Sequence, residues 1–227
     1  MSTNWRAAAA LPSAAGPSGS PRQTQADRSR DTRAKLLRAV VDCLVEFGWA
    51  GTTTTLVSER AGVSRGAQLH HFTSRGELVA AAVQHVGAES VRELRERAAL
   101  VAGGHQTSRT RAVVQLLVDF YVSPLFAAAL ELWVAARTDA ALRVLVVPLQ
   151  SHLGRESHRL AVELLAADEA RPGVREAVQA TLDLARGLAL ANQLTDDRTR
   201  RARIVAEWST QLELRLTTPH DHAMSTP

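Results

Sequence analysis

The stretch from Thr52 to Leu78 constrains the fold of this chain more than any other. It reads as two short helices around a tight turn, Ala61-Gly62-Val63-Ser64. Thr53 is a good N-cap for a helix over 54–61, because its hydroxyl can accept one of the backbone N–H groups left unpaired there. Gly62 ends that helix at no steric cost, and Ser64 is placed to cap the next one, over 65–71. The small Ala61 and Gly62 let the two helices approach closely, while Val57, Val63 and Phe72 can plug the space between them. Ser74, with Glu77 three residues on, forms the pattern of a capping box for a long helix from Arg75 to about Val101, stopped by Gly103-Gly104. Upstream, a helix beginning at Ser29 carries Leu36, Leu37, Val40, Val41, Leu44, Val45 and Phe47 as an apolar face, with Gly48 where a C-cap glycine belongs.

The remainder continues in the helical period, with segments over 109–122, 124–137, 140–167, 173–194 and 198–216. Pro124 suits a first helical position, and Pro148 marks a kink or a boundary. Strand-rich runs are scarce, so the fold class is all-α. The expected organisation is an arm over 1–28, a helix-turn-helix domain over 29–74, a larger helical domain over 75–217 and a polar tail over 218–227. The arm is rich in Ala, Ser, Pro and Gly without periodicity, which predicts disorder. It is either a passive tail or an additional contact to DNA through Arg22, Arg28 and Arg30.

Composition narrows the functional classes. A formal charge of +4, almost all of it from arginine with Lys35 as the single lysine, permits a nucleic-acid partner without requiring one. Cys43 is the only cysteine, so no intrachain disulfide can form, and nothing points to an oxidising compartment. No apolar run reaches membrane-spanning length, and the apolar stretch Ala7–Leu11 is too short for the core of a signal peptide. The expected location is the cytoplasm, with no membrane partner.

A helix-turn-helix lays its second helix in the DNA major groove. The helix after Ser64 carries Arg65, Gln68, His70 and His71, all able to hydrogen-bond phosphates or base edges. Arginine to guanine and glutamine to adenine are the usual direct contacts. Its N-terminus is favourable ground for a phosphate, and Arg75 suits a phosphate rather than a base.

At Gly62-Val63-Ser64-Arg65-Gly66, His71-Phe72-Thr73-Ser74-Arg75 and Glu77-Leu78 the chain resembles the TetR-type regulators. Phe47-Gly48-Trp49-Ala50-Gly51-Thr52-Thr53 matches the family's turn between its first two helices. The motif covers only about residues 30–80. The resemblance implies a three-helix DNA-binding domain, a linking fourth helix and a larger helical domain that binds a ligand and dimerises. It also implies that Thr53 and Thr54 meet phosphate, that Arg65, Gly66 and Ala67 lie at base edges, that His70 and His71 flank the backbone, and that Arg75 binds phosphate. Two positions depart from the family pattern. Gln68-Leu69 stands where Leu-Tyr is usual, so Gln68 is expected to face DNA while Leu69 fills the small core. Ala67 replaces a common Thr and offers only a methyl group.

Other readings of the same residues compete. Gly62-Val63-Ser64-Arg65-Gly66 also matches the Gly-x-Ser-x-Gly elbow of serine hydrolases, which needs a preceding strand; here a helical segment precedes it. Adjacent His70 and His71 diverge by about 100° on a helix and cannot easily share a metal, and His152 with His158, or His220 with His222 in the tail, fit no zinc pattern. No metal or cofactor is expected. Trp49 and Trp208 are assigned to packing. Phe120, Tyr121, Phe126 and Trp133 are either core or the apolar wall of an effector pocket. Arg137, Asn192 and Gln193 are either polar contacts to that effector or surface and interface groups. Small residues over 182–190, together with 204–216, suit a four-helix dimer seam built from the last two helices.

The sequence therefore predicts a non-enzymatic, dimeric regulator that binds an operator in double-stranded DNA. It would act as a repressor released by a small apolar or amphipathic effector. The alternatives are a helical ligand-binding dimer without DNA binding and a hydrolase using Ser64.

Overall fold

The computed structural model describes residues 24–102 and 109–217, which form nine α-helices and no strand. They are α1 (Gln25–Gly51), α2 (Thr54–Ala61), α3 (Arg65–His71), α4 (Arg75–Ala102), α5 (Arg109–Tyr121), α6 (Pro124–Ala136), α7 (Ala140–Leu165), α8 (Val174–Ala191) and α9 (Arg198–Thr217). Most of the expected arm with Arg22, the Gly103-Gly104 stop and the tail with His220 and His222 lie outside the described residues.

The first helix starts earlier than Ser29, so residues 25–28 are helix rather than arm. The cause is a capping box at Thr24-Gln25-Ala26-Asp27. The Thr24 hydroxyl accepts the Asp27 N–H at 3.1 Å, and the Asp27 carboxylate accepts the Thr24 N–H at 3.1 Å. Near its other end α1 breaks at Gly48, where φ is +65° and ψ −176°, a conformation open to glycine. Leu36, Leu37, Val40, Cys43 and Leu44 are buried as a stripe. Val45 and Phe47 are not part of it: both are exposed, because they fall on the far side of the helix, and Arg60 stacks on Phe47.

Two apolar clusters organise the molecule. One gathers α1, α2, Phe72 and the first part of α4 with Ala128, Leu132 and Ala136 of α6 and Leu142 and Val146 of α7. The other joins the second half of α4 to α5, α7, α8 and α9. Trp133 packs partly buried against both. The helix-turn-helix is thus fused to α6 and α7 through shared core rather than tethered by α4 alone.

Pro148 interrupts nothing: α7 runs continuously through it. Val144, whose carbonyl loses its helical donor at that proline, is exposed, as is Pro148 itself, so water can serve the orphaned group. Next to the proline, Leu149 lies so close to Gly87 of α4 that a Cβ at Gly87 would collide with it. Arg95 of α4 reaches Glu156 of α7 at 2.7 Å, and Arg159 lies 3.1 Å from the same carboxylate. These contacts hold the Glu156 carboxyl down to about 2, the Arg159 hydrogen bond acting most strongly and the Arg95 bond second.

Candidate nucleic-acid interface

The turn between α2 and α3 is built from local hydrogen bonds. Thr53 Oγ1 accepts the Leu56 N–H at 3.2 Å and Ser64 Oγ accepts the Ala67 N–H at 3.2 Å, as their cap positions require. Gly62 has φ +64° and ψ +35°, and its N–H and that of Val63 donate to Glu59 and Ser58 carbonyls at 3.1 and 3.0 Å. Val57 and Phe72 are buried, and Val63 is half-buried. At the start of α4, Ser74 Oγ accepts the Glu77 N–H at 3.1 Å. The Glu77 carboxylate, however, takes the N–H and hydroxyl of Thr73, at 2.8 and 2.9 Å, so the expected box is displaced by one residue.

The second helix of the motif, α3, is turned differently from the sequence expectation. Gln68 is 3% exposed, and its side-chain oxygen accepts a hydrogen bond from the buried Ser58 hydroxyl of α2. Leu69 is 47% exposed. The two were expected the other way round. Helical periodicity explains the reversal: Gln68 precedes Phe72 by four residues and shares its inward face, whereas Leu69 follows Arg65 by four and shares its outward one. Gln68 is therefore a buried tie between α2 and α3, and the outward face of α3 is Arg65, Gly66, Leu69 and His70, all exposed. Leu69 is the outward-facing residue missed from sequence, and the i, i+4 relation to Arg65 is the signal that carries it. Ala67 and His71 are half-buried at the edge of this face. Burial holds the His71 imidazole below its ordinary value, and the neighbouring His70 and Arg33 add to the effect.

Thr53 is exposed and Thr54 half-buried at the start of α2, and Arg75 is exposed at the start of α4. A groove of about 270 Å³ runs between these elements, lined by Thr54, Ser58, Arg65, Leu69 and Arg75 among others. Ser64 lacks what a hydrolase elbow needs. It lies between two helices, no strand occurs among the described residues, and its hydroxyl is engaged as a cap. No group of three or more metal-ligating side chains occurs among the described residues.

The candidate effector residues separate in space. Phe120, Tyr121 and Phe126 are buried and pack edge to face, with centroids 5.1 and 5.0 Å apart. Phe126 meets Trp133 in the same way at 5.5 Å. Trp133 and Arg137 both line a cleft of about 470 Å³ between α6 and α7, with Arg143, Val146, Val147 and Gln150. Asn192 lies elsewhere: its side-chain oxygen accepts a 2.6 Å hydrogen bond from Arg201 of α9, and Gln193 turns back to the Ala189 carbonyl. Phe120, Tyr121 and Phe126 are thus packed in the core and Asn192 is bonded across the α8–α9 corner, and none of the four lines that cleft. Among the described residues no single helix is long and apolar enough to cross a membrane.

A capped helix-turn-helix with one face of its second helix turned outward, fused to a larger helical body, is the build of a helix-turn-helix transcriptional regulator. Residues 36–82 match the bacterial regulatory proteins of the tetR family. The chain is 38% identical over 122 residues to the HTH-type transcriptional regulator CymR of Pseudomonas putida, a match covering 54% of this chain and 59% of that protein. It is 32% identical over 138 residues to an uncharacterised HTH-type transcriptional regulator of Mycobacterium bovis, covering 61% of this chain and 68% of the relative. The crystal structure of a transcriptional regulator from Rhodococcus sp. Rha1 superposes with a TM-score of 0.62 at 20% identity, covering 82% of this chain and 99% of that one. The chain belongs to the TetR family of DNA-binding transcriptional regulators.

Proposed function

We propose that this protein is a homodimeric repressor that places α3 of each protomer in the major groove at one half-site of a near-palindromic operator and is released by a small apolar or amphipathic effector. The observation that carries the reading is the outward face of α3. Arg65 and His70 can donate to bases or phosphates, Gly66 lets the DNA approach closely, and Leu69 offers apolar contact to a thymine methyl. Thr53, Thr54, Ser64, His71 and Arg75 surround that face and suit backbone contacts, which fix register without reading sequence, while Ala67 at its edge offers a methyl group to a base.

The effector reading rests on the cleft beside Trp133, which has an apolar floor and two arginines at its rim. It adjoins α6, and α6 carries Glu131, whose carboxylate accepts the Trp49 N–H at 3.0 Å at the break in α1. A ligand that favours one position of α6 would shift the population of recognition-helix arrangements through this contact. Dimerisation through α8 and α9 is supported by Leu190 near the end of α8, 58% exposed, by Leu194 in the turn that follows it, 92% exposed, and by the exposed Leu214 of α9.

The direct test is fluorescence anisotropy with duplex DNA from upstream of the protein's own gene. Specific, salt-sensitive binding is expected. Affinity no higher than for unrelated DNA would overturn the reading and leave a ligand-binding dimer. Arg65→Ala is expected to weaken specific binding by about 1–3 kcal/mol and to relax preference at one base position; unchanged affinity and preference would remove Arg65 from the interface.

A further inference from the structure

Arginines are abundant in this chain, and many of those described are committed to carboxylates. Arg30, Arg92, Arg95, Arg97, Arg159 and Arg186 each pair with an acid 2.5–3.1 Å away or closer. Around the recognition helix a different arrangement holds. Arg33 of α1 lies over the ring of Phe72, 4.8 Å from its centroid, and Phe72 is the residue that ends α3. Arg75 lies over Trp49 at 5.4 Å. Both side chains belong to exposed residues, and neither has an acidic partner among the described residues. Arg60 supplies an internal comparison. It too lies over an aromatic ring, Phe47 at 5.5 Å, but its guanidinium is ion-paired with Glu46.

An aromatic face fixes the position of a guanidinium while leaving its N–H donors and most of its charge available. A carboxylate spends both. Arg33 is thus a pre-positioned, uncompensated cation at the C-terminal end of α3, close enough to His71 and His85 to disfavour their protonation. A surface that concentrates positive charge in this way suits a polyanion, and the helix beside it is the one that faces outward.

We infer that Arg33 is a further DNA contact, gripping an operator phosphate from α1 beside the end of α3, while Arg60 takes no part. The inference rests on the DNA-binding reading above. A phosphate contact is sequence-independent, and each one contributes about 0.9 to the slope of log affinity against log salt.

The test is a salt titration of binding to the protein's own upstream DNA and to an unrelated duplex, for the wild type, Arg33→Gln, Arg33→Lys and Arg60→Gln. Arg33→Gln is expected to weaken binding to both duplexes by a similar factor and to flatten the slope by about 0.9 per protomer contact. Arg33→Lys is expected to keep most of the slope because it keeps the charge, and Arg60→Gln to leave it unchanged. A wild-type slope in Arg33→Gln, or an equal flattening in Arg60→Gln, overturns the inference. Affinity lost in Arg33→Gln with no change in slope, together with a lowered unfolding midpoint, also overturns it, since that is the signature of lost packing on Phe72. Absence of specific binding by the wild type overturns the DNA-binding reading itself and is seen before any variant is compared.

Discussion

Gln68 shows how a single residue's role depends on which face of a seven-residue helix it occupies. Its amide would be a natural adenine reader, yet it is buried against Ser58, and its exposed neighbour is a leucine. A buried amide is tolerated only when paired, because an unpaired one keeps its full desolvation cost. Ser58→Ala is therefore expected to destabilise the protein by about 1–3 kcal/mol in urea unfolding. Adding Gln68→Leu should recover much of that loss, since both polar partners are then gone, and should leave the operator preference of the wild type intact. A double variant no more stable than Ser58→Ala, or one with altered base preference, would show that Gln68 has another task. The cap residues of this tract were legible directly: Thr53, Gly62 and Ser64 act through bonds to their immediate neighbours, so their spacing is enough to place them.

Among the elements, α1 and α6 are tied where α1 breaks. Gly48 adopts φ +65°, and a Cβ there would lie 2.8 Å from the Glu131 carboxylate that accepts the Trp49 N–H. Glu131→Ala leaves that half-buried N–H without its acceptor and is expected to cost about 1–3 kcal/mol, whereas Glu131→Gln, which keeps an acceptor oxygen, should cost less. Equal losses in the two variants would show that packing, not the hydrogen bond, matters at this point. The α4–α7 pair adds a pH dependence. Glu156 has its carboxyl lowered to about 2 in the fold against an ordinary 4.5. Its contribution to stability is therefore complete above pH 4.5 and is lost as pH falls towards 2. Both partners are solvent-accessible, so the effect is small, but its sign is fixed. Glu156→Gln should flatten the fall of the unfolding midpoint across that acid range and leave the curve near neutrality parallel to the wild type. An acid limb identical to the wild type would mean that the bridge is not formed in solution.

For the whole molecule, the exposed leucines at the end of α8 and on α9 are the feature a monomer explains least well. Leu190→Asp is expected to shift the protein towards half its mass in light scattering and to make the thermal midpoint less dependent on concentration than in the wild type. A wild type already monomeric at micromolar concentration would overturn the dimer proposed here. It would also remove the two-fold symmetry that a near-palindromic operator mirrors.

Sequence alone determined the helix-turn-helix and the order of the nine helices, with ends correct to within a few residues. Caps, turn glycines and apolar periodicity act over three or four residues, and their energies are decided locally. The early start of α1 was available in the same way, in the Thr24–Asp27 box. Only tertiary structure decided which side of α3 turns inward, that Val45 and Phe47 stay outside the core, and that the aromatic series from Phe120 to Phe126 packs on itself while Trp133 opens to a cleft. Those outcomes depend on partners distant in the chain, such as Glu131 for Trp49 and Phe72 for Arg33. Such pairings leave no periodic signal, because they join residues far apart in the chain that only the shared core of α1, α4, α6 and α7 brings together.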